Sequence, residues 1–155
     1  MNQAQIVSAL KNIPLFSGLD ERALQEMASL TRHRAYPPQT ALFHAGDPGH
    51  MLYLIVTGQV RIEKVSASGE IIHLAYRGRG DHFGELALLD GKPRMASAVT
   101  VSECVCLTIE REAFQQYLRS DSSVSFQIMA TLAERLREAA DALEGVQELD
   151  VLECV

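Results

Sequence analysis

The sequence predicts a mainly β domain with flanking helices, in which an antiparallel barrel or jelly roll is followed by a long C-terminal helix. Three observations carry this reading. Short runs of β-branched and aromatic residues recur between positions 40 and 109, with glycine at their corners. Before position 30 and after position 110 the apolar spacing is helical instead. The length of 155 residues, with 47% hydrophobic and 22% charged, suits one ordered domain with its own core.

Residues Ile6 to Asn12 and Glu21 to Ser29 read as short helices around the turn Pro14-Leu-Phe-Ser-Gly18. Ser17 or Asp20 is placed to cap the second, whose apolar face is Leu24, Met27 and Ala28. The β region opens at Tyr36, because Pro37-Pro38 stops any helix, and Thr40 to His44 is strand-like before the turn Ala45-Gly-Asp-Pro-Gly49. Met51 to Val56 is the clearest strand. Gly58 separates it from Val60 to Val65, where Val60, Ile62 and Lys64 alternate with Arg61, Glu63 and Val65, the pattern of a sheet with one buried face. Ser66-Ala-Ser-Gly69 supplies a hairpin, and Glu70 to Tyr76 returns with Ile72 and Leu74 on one side. Arg77-Gly-Arg-Gly-Asp81 is a tight connection. Two more strands, Ala96 to Val101 and Cys104 to Ile109, close the β region, which spans 36–109. Arg111 to Leu118 forms a short helix and Ser122 to about Leu143 a long one, with Asp121 at its cap. No repeat, low-complexity tract or internal boundary divides 1–155, so the helices of 1–30, the β region and the helices of 110–155 form one domain.

The segment from Phe83 to Ser97 suits neither a strand nor an ordinary loop. Gly84 permits close backbone approach, and Glu85 to Leu89 has the length of a single helical turn whose first N–H groups can face an anion. Asp90-Gly91 ends that turn, and Pro93 fixes the backbone before Arg94. The planar fork of Arg94 suits two oxygens of a phosphodiester. Glu85 is a poor phosphate ligand but a good acceptor for a sugar hydroxyl. The two describe a ligand with one anionic phosphate beside a ribose 2′-OH, the outline of a cyclic nucleotide.

The run Phe83-Gly-Glu-Leu-Ala-Leu-Leu-Asp-Gly-Lys-Pro-Arg94 resembles the phosphate-binding cassette of the cyclic-nucleotide-binding domain family. Pro14-Leu-Phe16, Gly46-Asp-Pro-Gly49, Leu52 to Gly58 and Gly80-Asp-His-Phe-Gly84 resemble its flanking pieces, so the likeness covers almost the whole chain. It implies an eight-stranded β-roll, with Glu85 on the ribose 2′-OH, Arg94 on the cyclic phosphate, and the amides around Gly84, Glu85, Leu86 and Ala87 on the remaining oxygens. Phe83, Met95 and Ala96 complete the expected ligand-binding set, although the side chains of Phe83, Leu86 and Leu88 suit the core better. The likeness is nearest to catabolite-activator-type bacterial transcription regulators, where a long helix after the roll forms the dimer interface and leads into a helix-turn-helix. That DNA-binding part has no counterpart in 1–155. In those regulators a Ser follows the cassette Arg, and a Thr-Ser pair on the long helix contacts adenine. Here the matching residues are Met95, Ala139 and Ala140, candidates for packing on a base without hydrogen-bonding it. Cyclic AMP is the first expectation for the effector; a different base, or a pocket that no longer binds, stays open.

The net charge of −6 argues against this segment gripping nucleic acid alone, because such binding rests on a basic face. DNA would be contacted through a further C-terminal domain. With no signal-like start and no apolar run long enough for a bilayer, the expected place is the cytoplasm, with no membrane partner. Cys104, Cys106 and Cys154 form no metal or disulfide framework, and the first two alternate along one strand to pack on one face. A metal-dependent cupin-like enzyme is the weaker alternative, since His82-Phe-Gly-Glu85 is the nearest approach to a ligand set and no His-x-His exists. No catalytic set appears at motif spacing, so the expectation is binding without catalysis or cofactor. A sensor for another output, such as a kinase or transporter, or a free-standing one, is the other alternative. Met129, Leu132, Leu136, Ala139, Leu143 and Val146 fall at spacings of three and four, the seam of a coiled coil, and predict a homodimer through the long helix.

Overall fold

The computed structural model describes residues 1–144, which fall into two compact units, Met1–Tyr117 and the segment from Leu118 onward. In the first unit, α1 (Gln3–Lys11) starts with a capping box: Gln5 N–H donates to Asn2 Oδ1 at 2.9 Å and Asn2 N–H to Gln5 Oε1 at 2.8 Å. For α2 (Glu21–Leu30) the cap is Asp20, whose Oδ1 accepts from Ala23 N–H at 2.8 Å, whereas the Ser17 hydroxyl donates to the Pro14 carbonyl. Leu24, Met27 and Ala28 are buried, as their spacing predicts.

Eight strands follow, all paired antiparallel in two four-stranded sheets. They are β1 (Thr31–Tyr36), β2 (Ala41–Phe43), β3 (Met51–Thr57), β4 (Val60–Val65), β5 (Ile71–Arg77), β6 (His82–Phe83), β7 (Ser97–Thr100) and β8 (Cys104–Glu110). One sheet runs β1-β8-β3-β6 and the other β2-β7-β4-β5. A six-residue helix, α3 (Glu85–Asp90), interrupts the strands, and α4 (Arg111–Ser120) follows them.

Two strands escape the sequence pattern. Thr31–Tyr36 is an edge strand pairing only with β8, and its Arg32, His33, Arg34 and Ala35 are all exposed, so no apolar face marks it. The roll therefore begins at Thr31 rather than Tyr36. The other, β6, has two residues, too few for any period. By contrast, β3 lies between β8 and β6 with Leu52, Tyr53, Leu54 and Ile55 all buried, which explains its unbroken apolar run. The core beneath gathers Tyr53, Ile55, Val60, Phe83, Ala98, Cys104 and Cys106, with the Tyr53 and Phe83 rings stacked at 5.1 Å. Burial pushes the Cys106 thiol up to about 12.

β5 departs from its expected alternation. Ile62 pairs with Ala75 and Glu63 with His73, so Leu74 is the extra residue of a bulge, and Ile72 and Leu74 are each 45% exposed.

In the second unit, α5 (Ser122–Glu144) begins at Asp121, whose carboxylate accepts from Ser123 N–H at 3.0 Å and Ser123 Oγ at 2.6 Å. These bonds, the side-chain one foremost, hold the Asp121 carboxyl below its ordinary range. Val124 and Ile128 are buried, whereas Phe126, Met129, Ala133, Leu136 and Ala140 are exposed at alternating spacings of three and four. Of the residues expected in a seam, Met129, Leu136 and Ala139 are exposed and Leu132 is half-buried. Val146 and the side chain of Leu143 lie outside the described residues.

Candidate functional site

The site is assembled where β6 runs into α3. Gly84 takes φ 88°, a left-handed conformation that glycine adopts without penalty, and a Cβ there would lie 2.7 Å from Arg94 Nη1. Helix α3 lasts until Gly91, whose N–H returns to the Ala87 carbonyl at 3.1 Å, and Asp90 Oδ1 accepts from Lys92 N–H at 2.9 Å. Pro93 then delivers the backbone to Arg94.

Arg94 is pinned at both backbone groups by the turn that follows β2. Its N–H donates to the Asp47 carbonyl and its own carbonyl accepts from Gly46 N–H, each at 2.7 Å. Gly49 of that turn lies so close that a Cβ would come within 2.4 Å of the Ala87 Cβ. The arginine side chain turns inward and is only 6% exposed. Nη1 donates to the Gly84 carbonyl at 2.6 Å and Nη2 to the Met51 carbonyl at 2.7 Å, while Cζ sits 4.1 Å from the centroid of the Phe43 ring. Nε is buried without a hydrogen-bond partner. Burial lowers the Arg94 pKa, and the nearby Tyr53, Glu85 and Asp47 oppose that shift. A guanidinium has five N–H donors, and the two carbonyl bonds use two of them.

Glu85 opens α3 and is 2% exposed, close enough to Arg94 for their charges to interact. Both ends of the expected ligand set are therefore buried polar groups, rare outside functional or paired positions. Phe83, Ala87 and Ala96 are buried around them, and Leu88 is in the core as expected. Leu86 differs: its side chain is 41% exposed, because it falls on the outer side of a helix too short to wrap around the core. Met95 is 59% exposed. Ala139 and Ala140, the candidate base contacts, are exposed residues of α5 in the second unit.

Sequence reasoning missed Phe43 and the Met51 carbonyl. Phe43 precedes Arg94 by half the roll, and no local spacing signals that a strand residue will lie under a guanidinium. The Gly46-Asp-Pro-Gly49 turn was legible as a flanking piece, but not as the clamp on the Arg94 backbone. Among the described residues no group of three or more His, Cys, Asp or Glu side chains could hold a metal ion, so His82 and Glu85 gather no third ligand there. A separate cleft of about 190 Å3, lined by Met1, Gln5, Asn12, Ile55, Arg79 and Gly80 among others, shares no residue with the cassette, and those polar side chains are exposed.

A family model described as the cyclic nucleotide-binding domain matches residues 33–121, including the whole cassette. The chain belongs to that family. Among its relatives, it is 38% identical over 130 residues to the cyclic AMP receptor protein of Thermus thermophilus, a match covering 84% of this chain and 60% of that protein. The crystal structure of the Thermus thermophilus catabolite activator protein superposes with a TM-score of 0.76 at 37% identity, covering 86% of this chain and 63% of that one. A cAMP-dependent protein kinase regulatory subunit of Hypocrea atroviridis is 35% identical over 109 residues, 70% of this chain and 22% of the subunit. The chain thus spans about 60% of the length of the cyclic AMP receptor protein it matches. Family membership agrees with the two-sheet roll and with the place of the α3 segment in it. No helix among the described residues is long and apolar enough to cross a membrane.

Proposed function

We propose that this domain binds a cyclic nucleotide, cyclic AMP first, at residues 83–96 and serves as the effector part of a transcription regulator. The observation that carries the reading is the inward, buried guanidinium of Arg94, whose Nε has no partner in the protein. Burying a cation is costly without compensation, and a singly negative phosphodiester is the compensation this geometry suits. Glu85 accepts the ribose 2′-OH, and the amides of Gly84, Glu85, Leu86 and Ala87 complete the phosphate shell. Phe83 and Ala96 wall the site, and Met95 covers the ligand. The ligand is a regulator and not a substrate.

The regulator reading draws support from the receptor and activator proteins that this chain resembles over most of its length. Two copies join through the exposed stripe of Phe126, Met129, Ala133, Leu136 and Ala140, whose spacing is self-complementary in a coiled coil. DNA is contacted by a different part of the gene product, since this segment carries a net charge of −6, and the setting is the cytoplasm. Signalling leaves the cassette through α4, where Gln115 Nε2 donates to the Leu88 carbonyl at 2.8 Å. A sensor serving a kinase is the second reading, favoured by the likeness to the kinase regulatory subunit. The complete gene product, with or without a DNA-binding part, separates the two outputs.

Titration calorimetry with cyclic AMP on wild type and Arg94→Ala tests the site. A charge-assisted hydrogen bond contributes about 1.5–3 kcal/mol, so the variant is expected to bind roughly ten- to a hundredfold more weakly. Equal affinities would remove Arg94 from the site, and no heat from any cyclic mononucleotide would end the reading. Sedimentation tests the dimer: wild type is expected as a dimer and Leu136→Lys as a monomer, while a monomeric wild type rejects the α5 interface.

A further inference from the structure

We infer that Phe43 is a positioning residue for the Arg94 guanidinium, holding it by the face of its ring in the pose that meets the phosphate. The inference deepens the cyclic-nucleotide reading and rests on it. Three constraints define the Arg94 pose. Two are carbonyl bonds, from Nη1 to Gly84 and from Nη2 to Met51, and both act at the same end of the group. They leave rotation about the line joining the two nitrogens free, and that rotation decides where Nε points. The third constraint removes this freedom: the ring of Phe43 lies 4.1 Å from Cζ. A cation over an aromatic face is attracted by the ring quadrupole, and a planar guanidinium adds stacking contact.

The ring is itself fixed. It packs against Tyr53 and Phe83 with centroids at 5.7 and 6.0 Å, within the aromatic group around the core. β2 places it there, one residue before the turn whose Gly46 and Asp47 clamp the Arg94 backbone. Backbone and side chain of the same arginine are therefore held from one short segment, 43–47. Glycine is also required at 49 and 84, since a Cβ at either would press on the guanidinium, at 3.3 Å from Cζ and 2.7 Å from Nη1 respectively. The group thus has an aromatic ring and two bare backbones close around it. An aliphatic side chain at 43 would fill the volume and keep the burial, yet would supply neither the negative face nor the flat stop.

The test compares Phe43→Leu with Phe43→Tyr, the first removing the ring and the second keeping it. Two measurements are made on each. In the ligand-free protein, the Arg94 Nε–H resonance is expected to lie upfield in wild type and in Phe43→Tyr, from the ring current. In Phe43→Leu it moves to its ordinary position and exchanges faster with water. By calorimetry, cyclic AMP binding is expected to weaken roughly three- to thirtyfold in Phe43→Leu and less than twofold in Phe43→Tyr. An unmoved Nε–H resonance in Phe43→Leu, or equal losses of affinity in both variants, overturns the inference. If Phe43→Leu does not fold, Phe43→Met takes its place. A resonance that moves in a protein whose wild type binds no cyclic nucleotide would instead overturn the ligand reading and leave the Phe43–Arg94 pairing standing.

Discussion

β3 and β5 are two strands of similar apolar content and opposite fate. Met51–Thr57 and Ile71–Arg77 both carry closely spaced aliphatic and aromatic residues, yet four consecutive residues of β3 are buried, whereas Ile71, Ile72, Leu74 and Tyr76 of β5 are all exposed. Position in the sheet makes the difference. β3 has β8 on one side and β6 on the other, and β5 is an edge strand that meets only β4. The cassette hangs from the buried strand: the Met51 carbonyl holds Arg94, and Tyr53 stacks on Phe83 one residue before Gly84. Burial is thus deepest in the strand that holds the Arg94 guanidinium, and the open apolar surface lies on a strand that makes no hydrogen bond to it.

The contrast can be broken most sharply by truncation. Leu54→Ala in β3 is expected to cost about 2–5 kcal/mol in urea unfolding, as for buried leucines generally, while Leu74→Ala in β5 costs at most about 0.5 kcal/mol. Equal losses would show that β5 is covered in solution. Gly49→Ala comes next. Its Cβ would overlap the Ala87 Cβ and press on Arg94, so overpacking is expected to cost about 1–3 kcal/mol and to weaken cyclic AMP binding together with stability. A variant as stable and as tight as wild type would show that the turn yields without disturbing the cassette.

Alkaline titration sharpens the same comparison by probing the β8 side of the core. The Cys106 thiol is raised from 9.0 to about 12 by burial, so the folded state holds its proton more tightly than the unfolded chain does. Its contribution is full below pH 9.0 and is lost as pH rises toward about 12. The urea midpoint of wild type should fall more steeply across that range than that of Cys106→Ala; parallel curves would contradict it. The smallest effect is expected at the start of α5. The Asp121 carboxyl is depressed, so its capping is present above the ordinary carboxylate range and lost as pH falls through the lower folded value. Asp121→Ala should flatten that acid-side loss of helix signal in circular dichroism and leave cyclic AMP affinity unchanged.

Much of this was legible from local pattern. The caps at Asp20 and Asp121, the β3 run and the segment with Glu85 and Arg94 follow from spacing, turn chemistry and residue type. β4 does not keep its expected alternation: Arg61 and Glu63 are half-buried like Ile62, and Lys64 and Val65 are both exposed. What stayed hidden shares one cause. β1 has no apolar face, β6 has no length, and the bulge at Leu74 resets an alternation that the sequence carries unbroken. The exposed stripe on α5 leaves out Leu132, because which side of a helix is buried is a property of packing and not of periodicity alone.

By itself the sequence determined the class of fold and the residues offered for the candidate site: a glycine that permits close backbone approach, a carboxylate beside it, and one guanidinium behind a proline. Those are local matters, settled by backbone sterics and by what each side chain can donate or accept. Only the tertiary structure decided how that guanidinium is aimed. One of its two carbonyl partners, Met51, and its aromatic contact, Phe43, lie far from 94 along the chain, and no local rule specifies which distant groups a closed sheet brings together.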